Sequence, residues 1–136
     1  MQRLKVMVVD DDVTTLEVAS AALEQRGHEV LKRDSAIGTT MAILRERPDV
    51  LLLDVHMPGL SGDRLAELLE PRMGKRSPVV ILHSGRDRAE LERLASRCGA
   101  AGIIEKTSDP QELVRSFERI VARNRHFLRG NADPPR

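Results

Sequence analysis

The stretch Val50-Leu51-Leu52-Leu53-Asp54 decides the fold. Four apolar residues run without alternation and stop at a carboxylate. A half-exposed strand alternates, whereas an unbroken apolar run suits a strand covered on both faces, as in a parallel sheet. The same signature recurs upstream in Val6-Met7-Val8-Val9 and downstream in Val79-Val80-Ile81-Leu82. Val30-Leu31 and Ile103-Ile104 are shorter bursts. Charge flanks Val30-Leu31, which places it at a sheet edge.

Helical stripes occupy the gaps. Leu16, Ala19 and Leu23 share a face, and Gly27 comes next as a C-cap. Ile37, Met41 and Leu44 predict a second helix, ended by Pro48. Leu65, Leu68 and Leu69 form a third stripe. Leu91, Leu94, Ala95 and Cys98 form a fourth, stopped by Gly99. The fifth is the clearest, with Leu113, Val114, Phe117, Ile120 and Val121 on one side. It opens with Asp109 as N-cap, Pro110 at the first helical position and Glu112 at the third, the pattern of a capping box. Strand then helix, five times, calls for right-handed crossovers and a parallel sheet. The expected class is α/β: a doubly wound, flavodoxin-like five-stranded sheet in the order 2-1-3-4-5.

The composition narrows the function. At 136 residues the chain fits one domain. Residues 1–124 are expected to form it, with 125–136 as a flexible tail, because Asn131-Ala132-Asp133-Pro134-Pro135 has little to bury. Lys plus Arg is 22 against 21 for Asp plus Glu, a balance that disfavours a polyanion-coating protein. Five arginines (Arg115, Arg119, Arg123, Arg125 and Arg129) make the C-terminal region locally basic, but no recognition module accompanies them. Phe117 and Phe127 are the only aromatics, too few for a base-stacking platform. Cys98 alone excludes an internal disulfide or a cysteine zinc cluster. No apolar run approaches the ~20 residues that span a bilayer, and the N-terminus does not resemble a signal peptide. A cytoplasmic protein without membrane contact is the expectation.

The strand ends point to chemistry. Asp10-Asp11-Asp12 lies just past the first, Asp54 closes the third, Ser84 comes after His83 at the end of the fourth, and Lys106 ends the fifth. In open α/β sheets ligands bind outside the carboxyl ends of the strands. Asp10, Asp11 and Asp54 would converge there, and two unit charges ~4 Å apart repel by ~1 kcal/mol in water and several-fold more near a protein surface. A cation or protons must relieve that cluster. An all-oxygen, carboxylate-rich set suits Mg²⁺. With a lysine ammonium and a serine hydroxyl beside it, the set is built to hold a phosphoryl group, and one carboxylate can act as its nucleophile. Taken singly, each feature has a plainer reading. Asp12 caps the first helix, Ser84-Gly85 is a turn, His83 is a packed strand-end side chain, and Cys98 is inert core.

Together these residues resemble a response-regulator receiver domain of two-component signalling, of the single-domain chemotaxis-regulator kind. The matching segments are Val8-Val9-Asp10-Asp11, Leu51-Leu52-Leu53-Asp54-Val55-His56-Met57-Pro58-Gly59-Leu60-Ser61-Gly62, Ser84-Gly85 and Lys106, within residues 4 to 124. The resemblance implies Asp54 as phosphoacceptor. It implies Mg²⁺ on Asp11, Asp54 and the backbone carbonyl of His56, with Asp10 acting through a water or on geometry. It implies Ser84 as hydrogen-bond donor to the phosphoryl group and Lys106 as its ion-pair partner. A histidine kinase or phosphotransfer protein would be the donor. A downstream protein would bind the face formed by the fourth helix, fifth strand and fifth helix, on a monomer or weak dimer.

Departures from the family are specific. Thr107 succeeds Lys106 where the family carries proline, often in cis. A cis bond before a non-proline residue costs ~3 kcal/mol, so a trans bond is expected. Ile103 stands where the family has its switch aromatic. His56 and Arg86 occupy the positions two after Asp54 and Ser84 that shape water access, and their bulk implies slow hydrolysis of the phosphoryl group. Two other readings compete. Asp10-Asp11-Asp12-Val13-Thr14 also resembles the opening motif of haloacid-dehalogenase phosphohydrolases, with Asp10 as nucleophile, but it leaves Asp54 unexplained and no strand comes after Lys106 for a further acidic motif. A pseudo-receiver that only binds partners is the other.

Overall fold

The computed structural model describes residues 2–57, 64, 77–85, 87–125 and 128. Five strands form one sheet: β1 (Lys5–Val9), β2 (Glu29–Arg33), β3 (Val50–Asp54), β4 (Val79–Ser84) and β5 (Gly102–Glu105). Their order is β2-β1-β3-β4-β5, and every neighbouring pair is parallel. Four helices appear among the described residues: α1 (Val13–Gln25), α2 (Thr39–Glu46), α3 (Arg88–Cys98) and α4 (Pro110–Arg123). The fourth and fifth helical stripes of the sequence thus fold as α3 and α4. The Leu65, Leu68, Leu69 stripe lies outside the described residues, as do Pro58 to Gly62, Arg86 and Phe127.

Strand alternation sorts the apolar runs into two cores. Val9, Leu51, Leu53 and Leu82 face α2 and α3, where they meet Ile43, Leu91, Leu94 and Cys98. Val6, Val8, Leu52, Ile81 and Ile104 face α1 and α4, where they meet Leu16, Leu23, Leu113 and Phe117. Because both faces are covered, β3 is buried along its whole length. The edge strand β2 is only partly buried, as its flanking charges imply. Gly102 lets the last helix come close: a Cβ there would lie 2.7 Å from the Ile120 side chain.

Helix ends obey the sequence at most positions. The Asp12 carboxylate accepts from the N–H groups of Thr14 and Thr15. Gly27, at φ +93°, turns the chain out of α1, and Gly99, at φ +75°, ends α3. The Asp109 carboxylate caps α4 by accepting from Gln111 N–H. The expected reciprocal half of the capping box does not form. Glu112 is taken by Arg115 at 2.8 Å, and the Asp109 N–H donates instead to the Thr107 hydroxyl.

α2 departs further from expectation. Its inner face is Thr39, Ala42 and Ile43, while Ile37 and Met41 are 84% and 66% exposed. Thr39 can turn inward because its hydroxyl is satisfied: it donates to Ser35 C=O and accepts from Arg33 Nε. Beyond α4, Leu128 is 2% exposed and joins the α1–α4 core. No helix among the described residues is long and apolar enough to cross a membrane.

Candidate functional site

Strand register brings the site together. Val9 pairs with Leu53, and Asp54 with His83. Val8 and Leu52 face the α1–α4 core, so Asp10 and Asp54, two residues further along the same strands, turn the same way. At the carboxyl rim both are almost fully buried, at 1% and 3% exposure. Each is fixed by the backbone two residues on. Asp12 N–H donates to Asp10 Oδ1 at 2.9 Å, and His56 N–H donates to Asp54 Oδ1 at 3.0 Å. Asp11 stands beside them on the solvent side, and ligand oxygens of Asp10, Asp11 and Asp54 lie within 4.8 Å of one another.

One cation reaches the cluster from the end of β5. Lys106 Nζ lies 2.9 Å from Asp10 Oδ2 and 3.7 Å from Asp54 Oδ2. The Lys106 backbone N–H is tied to Ser84 C=O at 2.8 Å, which locks the lysine to the end of β4. Ser84 itself is 1% exposed at that strand end. One ammonium does not neutralise the acids. Burial first, and the Asp10 charge beside it, push the Asp54 carboxyl up to about 6, against the opposing pull of the His56 N–H and of Lys106. An oxygen-only donor set that carries excess negative charge fits a hard divalent cation such as Mg²⁺.

The structure therefore joins five of the residues singled out in the sequence: Asp10, Asp11, Asp54, Ser84 and Lys106. The His56 side chain is exposed beside them. Ile103 sits away from the rim, half-buried against the α2–α3 core. It lines a groove of about 760 Å³ between α3, β5 and α4. The Lys106–Thr107 bond is trans, as expected. His83 received only a packing role from the sequence, and it is packed, at 4% exposure. Yet it occupies the register position beside Asp54, and burial first, with the Lys106 charge nearby, pushes its imidazole down to about 4. A histidine directly after the apolar run Val79–Leu82, inside the strand, is the available signal.

The family of response regulator receiver domains matches residues 6–118, most of the chain. The chain belongs to this family. PilH of Pseudomonas aeruginosa is 31% identical over 119 residues, which span 87% of this chain and 98% of PilH. The DNA-binding response regulator MtrA of Mycobacterium tuberculosis is 32% identical over 133 residues, 98% of this chain and 54% of MtrA. The solved structure of the chemotaxis response regulator CheY4 of Vibrio cholerae shares the fold, with a TM-score of 0.77 at 24% identity, over 88% of this chain and 99% of CheY4. Receiver domains are signalling modules, and the match leaves the phosphohydrolase reading without support.

Proposed function

We propose that this receiver domain is a phosphorylation-driven switch in which Asp54 accepts a phosphoryl group from the phosphohistidine of a histidine kinase or phosphotransfer protein. The P–N bond to the histidine breaks as a P–O bond to Asp54 forms. The observation that carries this reading is the convergence of Asp10, Asp11 and Asp54 within 4.8 Å around a carboxylate that Lys106 also reaches. Asp54 is the acid of the three that the His56 N–H aims and that lies between the other strand ends. Its raised pKa keeps the carboxylate basic enough to be a competent nucleophile above pH 6.

Mg²⁺ would be held by Asp10, Asp11, Asp54 and the His56 backbone carbonyl, and it supplies positive charge for the phosphoryl oxygens. Lys106 provides the rest from the chain itself. Its ammonium lies nearer Asp10 than Asp54 in the unmodified protein. A phosphoryl group adds a charge of about −1.5 to −2 on Asp54, which draws Lys106 across and offers the Ser84 hydroxyl an acceptor. Because Lys106 and Ser84 are joined through the backbone, the ends of β4 and β5 respond together. The output is the face of α3, β5 and α4, with Ile103 in place of an aromatic side chain, presented to a downstream protein. The bulk of His56 and Arg86 slows hydrolysis of the modified aspartate.

Incubation with acetyl phosphate and Mg²⁺ tests this by intact mass. One added phosphoryl group is expected on the parent and none on Asp54→Asn. Equal labelling of both proteins would remove the proposal.

A further inference from the structure

We infer that the outer side of α2 is a contact surface for a second copy of this chain, which packs against it across a two-fold axis with its own α2 running in the opposite direction. Four large apolar side chains are exposed among the described residues: Val13, Val18, Ile37 and Met41. Ile37 and Met41 are the most exposed of these, at 84% and 66%. They lie four residues apart, at the entry and in the first turn of the same helix. Single apolar side chains are ordinary on a surface, but two within one turn form a patch that a partner can cover.

The patch is clamped in place. Arg33, at the end of β2, donates from Nη2 to the Ile37 carbonyl at 2.9 Å and from Nε to the Thr39 hydroxyl at 2.9 Å. Its own carbonyl accepts from Asp10 N–H at 3.0 Å, which anchors the clamp to the end of β1. A surface already fixed loses little freedom when it is covered.

Charge decides the occupant. Asp34, three residues before Ile37, is exposed and makes no ion pair among the described residues. Arg45 lies one turn beyond Met41 on the same side of the helix, with its side chain 67% exposed. Its ion pair with the neighbouring Glu46, at 3.3 Å, is an exposed one that contributes little. Arg47 lies past the end of the helix, outside this stripe. Along the stripe the order is acid, apolar, apolar, base. A reversed copy sets Asp34 against Arg45 and Ile37 against Met41, and the spacings agree, since both pairs are centred within one residue of Thr39. The two-fold axis makes each contact twice. A strongly acidic or strongly basic partner would instead meet a like charge at one end. Two apolar side chains from each copy cover less than the ~1,200 Å² at the low end of stable interfaces, so the dimer is weak and salt-sensitive.

Sedimentation equilibrium of the full chain, unphosphorylated and at low salt, tests this between about 20 µM and about 1 mM protein. The average mass should rise toward that of a dimer, with concentration-dependent NMR shifts at the Ile37 and Met41 methyls. Met41→Gln, at an exposed position, should stay monomeric over the same range. Asp34→Arg and Arg45→Asp should each weaken dimerisation at least about threefold, because like charges then meet twice in every dimer. The double variant, with the two charges exchanged, should recover the dimerisation of the parent. A monomeric parent, a dimer that survives Met41→Gln, single charge variants that associate as the parent does, or a double variant no better than either single would each overturn the surface. Shifts confined to the face of α3, β5 and α4 would assign the dimer to that face and overturn it as well. Neither the surface nor its test depends on Asp54 accepting a phosphoryl group.

Discussion

Val8 and Leu52 lie side by side on β1 and β3, facing α1 and α4. Two residues further along the same strands, facing the same way, lie Asp10 and Asp54. The first pair is apolar, fully enclosed and stabilising. The second is equally enclosed but acidic, and its charges repel. The difference separates what holds the sheet together from what it is for. Burial in the middle of the strands supplies stability, and burial at their ends works against stability while it tunes a carboxylate. Folding tolerates the rim because the row below it is dry and closely packed.

The largest test strikes the lower row. Leu52→Ala should destabilise the protein by about 2–5 kcal/mol in urea unfolding, because Leu52 is fully buried and its removal leaves a cavity. A loss comparable to a surface substitution would erase the contrast. Asp54→Asn should act in the opposite direction, raising stability by about 1–2 kcal/mol at pH 7 without divalent metal. The sign comes from the carboxyl being pushed up to about 6 in the fold, above its unfolded value. The folded state holds that proton more tightly, so this stabilisation is complete below about pH 4 and is lost as pH rises through about 6. The advantage of Asp54→Asn over the parent should therefore vanish at pH 4.

A finer test concerns the cation between the acids. Lys106→Met removes the ammonium that, among the described residues, both carboxylates share, so the Asp54 titration, monitored by carboxyl carbon NMR, should move further above 6. An unmoved titration would show that the lysine does not sense Asp54. The smallest effect lies away from both rows. Met41→Gln on the outer side of α2 should change stability by less than about 0.5 kcal/mol in the same urea measurement, since the side chain is 66% exposed.

That last position also shows where the sequence could be read and where it could not. The strands were legible because Val6–Val9, Val50–Leu53 and Val79–Leu82 are uninterrupted, which only two-sided burial explains. Strand order and the convergence of Asp10, Asp11, Asp54 and Lys106 could be read from acids and a lysine closing those runs. α2 was misread because hydropathy cannot see a satisfied hydroxyl. Thr39 is buried on the strength of its bonds to Ser35 and Arg33, and it carries Ala42 and Ile43 inward with it, leaving Met41 outside. The capping box at α4 failed in one arm for a related reason: Arg115, one turn on, competes for Glu112 more closely than any backbone N–H. His83 drew only a packing role because its closeness to Lys106 and Asp54 depends on strand register, which no local pattern reveals.

Gly102 carries one more consequence. With nothing but hydrogen on that Cα, the Ile120 side chain comes directly onto the strand backbone at that one point. Lys106 lies four residues along the same chain. A displacement of the chain at that lysine has, through Gly102 and Ile120, a hard point of contact by which to reach α4.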